Sequence, residues 1–166
     1  MKKLYIEKPV YKISNPVNWP PPPIGFKFNV DGSARGKPGL TGIRGILWDM
    51  EGKVHCLFSF LVGSKDSNMT KILAIQKACQ LCALNTVLLG SNITIVSDSK
   101  VVVSWVNNND GVGSLKHVDI IYDFRCLRNM MRGLSIEYNS RATNSLAENL
   151  AKMGSNMEGD IVVWGD

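Results

Sequence analysis

The chain has 166 residues, 45% hydrophobic and 20% charged, which fits one globular domain with a sizeable core. No apolar run approaches the roughly 20 residues of a membrane helix, and no secretory signal is visible, so no membrane partner is expected. The formal net charge of +5 favours an anionic partner without establishing one.

Residues 1–25 read as an N-terminal tail and proline-rich linker. Its basic start, MKKLYIEKPVYK, leaves organelle targeting open beside an intracellular, nuclear or cytoplasmic location. Four consecutive prolines in NPVNWPPPPIG remove the donors that a central strand needs, so the segment reads as extended and polyproline-like. Trp19 is expected to anchor it to the domain that fills 26–166. Residues 26–31 alternate Phe26, Phe28 and Val30 against Lys27, Asn29 and Asp31 and predict a strand ending on an acid. Two more strands, 42–49 and 53–62, follow across turn-rich connections and suggest an antiparallel meander.

One long helix is predicted over 64–90, with Ile72, Ile75, Cys79 and Cys82 at helical spacing and Gly90 as its stop. NITIVSD, 92–98, is a short buried strand that ends on another aspartate. SKVVVSWVNN is a helix capped by Ser97 or Ser99. A further helix ends at Gly133, LSIEY is the last strand, and TNSLAENLAKMG is the last helix, ended by Gly154. This order predicts an α/β fold with a five-stranded mixed sheet flanked by helices, the third strand antiparallel to its neighbour. Of the four cysteines, Cys79 and Cys82 form a lone C-x-x-C with no second pair to complete a zinc site. All four read as buried free thiols.

Asp31 and Asp98 each end a predicted strand, and Glu148 falls in the first turns of the last helix. Acids on adjacent central strands, joined by one from a helix above, can converge on hard divalent cations. Two such ions can clamp the attacking and leaving oxygens of a phosphodiester. Singly, each acid has a plainer reading: Asp31 as a turn residue, Asp98 as a helix cap, Glu148 as a solvated helix position.

NVDGSARGKPGLTGIRGILWDMEGKV, SNMTKILAI, ITIVSDSKVVVSWV and ATNSLAENLAKMGSNMEGDIVVW, in that order, resemble a ribonuclease H-like domain. The flavour is plant and retrotransposon-type, and NWPPPPIGFKFNVDGSA resembles its lead-in. The resemblance covers roughly residues 18–164. It implies a hydrolase that holds two Mg²⁺ on four carboxylates and cuts, as an endonuclease, the RNA strand of an RNA–DNA hybrid. The first and third carboxylates fall on Asp31 and Asp98. The fourth, usually aspartate, falls on Glu148. The second falls on Lys71, where the pattern N-x-x-E-x-x-A reads Asn68 to Ala74 with an ammonium in place of the glutamate. A family histidine on the loop before the last helix aligns with Tyr138, while Arg141 and Asn144 match the pattern around it.

Lys71 reverses a charge at the implied metal site, so it either pairs with Asp31 or Asp98 or bends away to solvent and leaves the remaining acids one metal. Gly32, Ser33, Arg35 and Lys37 make a small, basic stretch beside Asp31 that suits phosphate or ribose, or else a plain Gly-Pro hairpin. Asn68 is placed to join that contact. The expected function is a nucleic-acid-binding, ribonuclease H-like pseudoenzyme, with two Mg²⁺ if active and one or none if Lys71 fills the site. Its expected partner is an RNA–DNA hybrid or another nucleic acid, and a monomer is expected. The rivals are an active hybrid ribonuclease and a protein-interaction module on the same scaffold.

Overall fold

The computed structural model describes residues 22–34, 41–63, 65–107, 118–140 and 160–165. Along the chain run β1 (Phe26–Ala34), β2 (Thr41–Asp49), β3 (Val54–Gly63), α1 (Ser67–Ala83), α2 (Thr86–Leu89) and β4 (Ile93–Ser97). They are followed by α3 (Lys100–Asn107), α4 (Val118–Asn129), β5 (Leu134–Tyr138) and β6 (Ile161–Trp164). Among the described residues the strands form one mixed sheet in the order β5-β4-β1-β2-β3-β6. The first three pair as the expected antiparallel meander. β4 joins β1, and β5 joins β4, in parallel.

Three expectations about the elements are corrected. The sheet has six strands, not five, because Ile161–Trp164 pairs antiparallel with Cys56–Ser59 at the far edge. Four residues are too few for periodicity to announce a strand; the partner on β3 makes it one. The long helix is two. Asn85 has extended backbone angles, and its Oδ1 accepts the N–H groups of Val87 and Leu88 at 3.0 and 3.1 Å. That side chain satisfies a fresh helix start, which ends the earlier one. Finally, β1 does not stop at Asp31 but continues to Ala34. The tail with Trp19 and the last predicted helix with Gly154 lie outside the described residues.

Alternation in β1 divides the core. Phe28 and Val30 pack with Ile72, Ile75, Ala78 and Cys79 of α1. Asn29 is buried and accepts the indole N–H of Trp48 at 2.8 Å; Trp48 belongs to a second cluster with Ile46 and Leu57. Gly45 is there because of the aromatics beside it: a Cβ would lie 2.3 Å from the Phe58 ring and 2.8 Å from that of Phe28. Cys56, Cys79 and Cys82 are buried free thiols, but Cys126 is exposed, against expectation. No helix among the described residues is long and apolar enough to cross a membrane.

At the β2–β3 turn, Asp49 accepts the amides of Glu51 and Lys53 at 2.8 and 3.0 Å and meets His55 Nε2 at 2.7 Å. Partial burial works against its charge, but His55 and the two amides outweigh that and hold its carboxyl below the usual value of 3.8. A depressed folded pKa gives stability that is present above the unfolded value and lost as pH falls through the folded one. Asp49→Asn is therefore expected to lower the urea midpoint at neutral pH, with the gap to the native chain closing in acid. A gap that stays constant down to strongly acid pH would refute this.

Candidate active site

β1 and β4 run parallel in a register that sets Asn29 against Val96. Two residues further along each strand come Asp31 and Asp98, so the pairing carries both acids to one end of the sheet. Asp98 directly follows β4, and Ser99 supplies the cap of α3, accepting the Val102 N–H at 3.2 Å. On β2, Arg44 is the cross-strand partner of Asp31. Directly opposed residues of an antiparallel pair have neighbouring side chains.

α1 brings the third group. Asp66 caps it, accepting the Met69 N–H at 2.8 Å. The helix presses on β1 at Gly32, which is buried; a Cβ there would lie 2.5 Å from Thr70 Cγ2 and 2.8 Å from the Thr70 carbonyl carbon and oxygen. With no side chain at 32, Thr70 sits on the strand, and the next residue, Lys71, reaches over it. Its Nζ donates to Asp98 Oδ1 at 2.6 Å and to Asp31 Oδ1 at 3.0 Å. One nitrogen thus touches both carboxylates. The three side chains are only 12% (Lys71), 14% (Asp31) and 6% (Asp98) exposed. Burial pulls the Lys71 ammonium toward neutrality, but the hydrogen bonds and charges of Asp98 and Asp31 prevail and hold its pKa above the usual 10.5.

Of the residues singled out in the sequence, the structure thus brings together Asp31, Asp98 and Lys71, and Lys71 pairs with the acids instead of bending to solvent. Tyr138 ends β5, opposite Ser97 in register, so it shares the Asp98 end of the sheet; it is 43% exposed and lies on the strand, not on a loop. Asn68 sits half-buried in the first turn of α1. Ser33 is in β1. Arg35, Lys37, Arg141, Asn144 and Glu148 lie outside the described residues. Among the described residues no group of three or more His, Cys, Asp or Glu is gathered as a metal site. The sequence reading passed over Arg44, whose place opposite Asp31 follows once the register of the β1–β2 hairpin is known.

A six-stranded mixed sheet with aspartates at the ends of its parallel inner pair defines a class of fold, and comparison with known proteins agrees. Residues 29–154, well over half of the chain, match the model of the family described as reverse transcriptase-like. The protein belongs to that family, and its fold is ribonuclease H-like. It is similar to LC11-RNase H1, isolated from compost by a metagenomic approach, with a TM-score of 0.66 and 21% identity over 75% of this chain and 91% of that one. LC11-RNase H1 has also been solved with an RNA/DNA hybrid. The N-terminal ribonuclease H domain of Rv2228c from Mycobacterium tuberculosis is similar too, at a TM-score of 0.64 and 22% identity over 78% of this chain and 92% of that one. A foamy viral protease-reverse transcriptase structure with double-stranded DNA matches at a TM-score of 0.63 and 21% identity, over 82% and 97%. Identities this low establish the fold. No curated protein matches the sequence.

A double-mutant cycle tests the contact. Lys71→Met, Asp98→Asn and the double variant are expected to give non-additive unfolding free energies, with a coupling of about 0.5–3 kcal/mol. Strict additivity would show that the two side chains do not interact in solution.

Proposed function

We propose that this domain binds nucleic acid, with an RNA–DNA hybrid as its first ligand, and hydrolyses it weakly or not at all. The observation that carries the reading is the ammonium of Lys71 at 2.6 and 3.0 Å from Asp98 and Asp31. On the resemblance, those two acids and Glu148 are the metal ligands, and Lys71 stands for a fourth. Mg²⁺ seeks oxygen donors and dehydrates reluctantly. The described set offers two carboxylates with a cation already between them, and that does not fit a two-metal centre. Exchanging a carboxylate for an ammonium removes one attraction to the ion and adds one repulsion, each about 4 kcal/mol per unit of ionic charge at roughly 4 Å and an effective dielectric near 20. A loss of only ~1.4 kcal/mol already weakens binding tenfold.

The same reading assigns the hybrid backbone to Gly32, Ser33, Arg35, Lys37, Asn68, Arg141 and Asn144, and puts Tyr138 in place of the family histidine. It takes 26–166 as the domain, 1–25 as a tail and linker, and a plant retrotransposon as the origin of the sequence. The complex of LC11-RNase H1 with a hybrid supports the ligand by analogy of fold. The retained Asp31 and Asp98, converging on one point, favour the active ribonuclease as second reading.

Cleavage of an RNA–DNA hybrid with Mg²⁺ or Mn²⁺, with duplex DNA and duplex RNA as controls, separates the two. The native chain is expected to cut poorly or not at all, and Lys71→Glu to raise metal affinity and restore part of the cutting. Restoration stays partial because Glu148 is one methylene longer than aspartate and Tyr138 lacks an imidazole. Robust cutting by the native chain, abolished by Asp31→Asn, would establish the active enzyme.

Binding has its own test. If Arg35 and Lys37 contact phosphate, hybrid affinity falls as salt rises, because neutralised phosphates release counterions. Replacing both by alanine is expected to weaken binding and flatten its dependence on salt. Unchanged binding in that variant would favour the protein-interaction module.

A further inference from the structure

We propose that Lys71 is a built-in counter-cation: its ammonium takes the place of a divalent ion between Asp31 and Asp98, so that the folded protein neither needs nor gains from metal. This goes beyond the nucleic-acid reading, because it concerns the free protein and stands whether or not a hybrid binds.

The placement carries the inference. Asp31 belongs to β1, Asp98 follows β4, and Lys71 comes from the second turn of α1. A single nitrogen, within 3.0 Å of both acids, ties the helix to two neighbouring strands. At 14% and 6% exposure, the carboxylates have little water to screen their repulsion. A lysine swinging in solvent would be exposed and remote from both; this one is 12% exposed and hydrogen-bonded to each. The ammonium also cannot diffuse away. A dissociable ion stabilises a fold to a degree set by its concentration, whereas a tethered charge is present at any metal concentration.

Thermal unfolding of the whole chain tests this without nucleic acid, in EDTA and in millimolar Mg²⁺ or Mn²⁺, with ionic strength matched by NaCl. The native chain and Lys71→Arg are expected to melt at the same temperature with and without metal. Lys71→Met removes the cation that the two acids share and is expected to melt roughly 5–15 °C lower in EDTA, recovering part of the loss with metal. Lys71→Glu is expected to gain most from metal. The proposal is overturned if the native chain gains as much from Mg²⁺ as Lys71→Glu does, or if Lys71→Met melts with the native chain in EDTA. Should Lys71→Met fail to fold, calorimetric titration of Mn²⁺ into the native chain decides. Absence of binding heat supports the counter-cation, and saturable binding abolished by Asp31→Asn overturns it.

Discussion

Two carboxylates at the same end of a parallel strand pair, shielded from water, repel one another, and a positive charge between them offsets that repulsion. The register of β1 and β4 brings them there: Asn29 lies against Val96, and Asp31 and Asp98 each come two residues later. In this chain the charge is delivered by α1. The position of the helix over the sheet is thereby tied to the electrostatics of the strand ends, and several residues with no charge of their own serve that alignment.

Gly32 is one of them. It lets Thr70 settle on β1, and Thr70 is locked from its other side, its hydroxyl donating to the Asp66 carbonyl at 2.8 Å. Asp66 in turn caps the helix through Met69. A cap, a close backbone approach and a side-chain hydrogen bond thus fix the turn on which Lys71 stands. The arrangement is not a route to maximal stability. An apolar trio of similar volume can equal or exceed a buried ion cluster, whereas removal of the lysine takes away the cation that both acids share. The three residues therefore constrain one another.

Much of this was legible in the sequence, for local reasons. The meander showed in alternation and turn chemistry, and the two aspartates stood out because each follows an apolar run in the sequence. Lys71 was legible only as a departure from the seven-residue pattern N-x-x-E-x-x-A, since no rule of composition tells a lysine facing two acids from one facing solvent. What escaped depended on partners distant in sequence. β6 is a strand because β3 offers it an edge, and Arg44 is near the site because of hairpin register. The split after α1 was open to view in the Asn85 side chain, but apolar residues stand on both sides of it and masked it. By position in the sequence Asp98 also suits a cap, but Ser99 supplies that contact, and Asp98 Oδ1 accepts from Lys71.

A lysine can reproduce only part of what a divalent ion does. Both cancel repulsion between carboxylates and hold strand ends in register. A metal also offers open coordination positions, lowers the pKa of bound water and polarises a phosphoryl oxygen; an ammonium is a hydrogen-bond donor with three protons and no vacant orbital. Two of those protons point to Asp31 and Asp98. On the proposed reading, the substitution therefore separates two roles that one ion combines in a two-metal enzyme. The architectural role is retained, tethered to the chain and independent of ion supply, while the Lewis-acid role has no group to perform it between these two acids. On that reading the strand ends keep their shape without the metal, and the proposed nucleic-acid contact does not depend on hydrolysis.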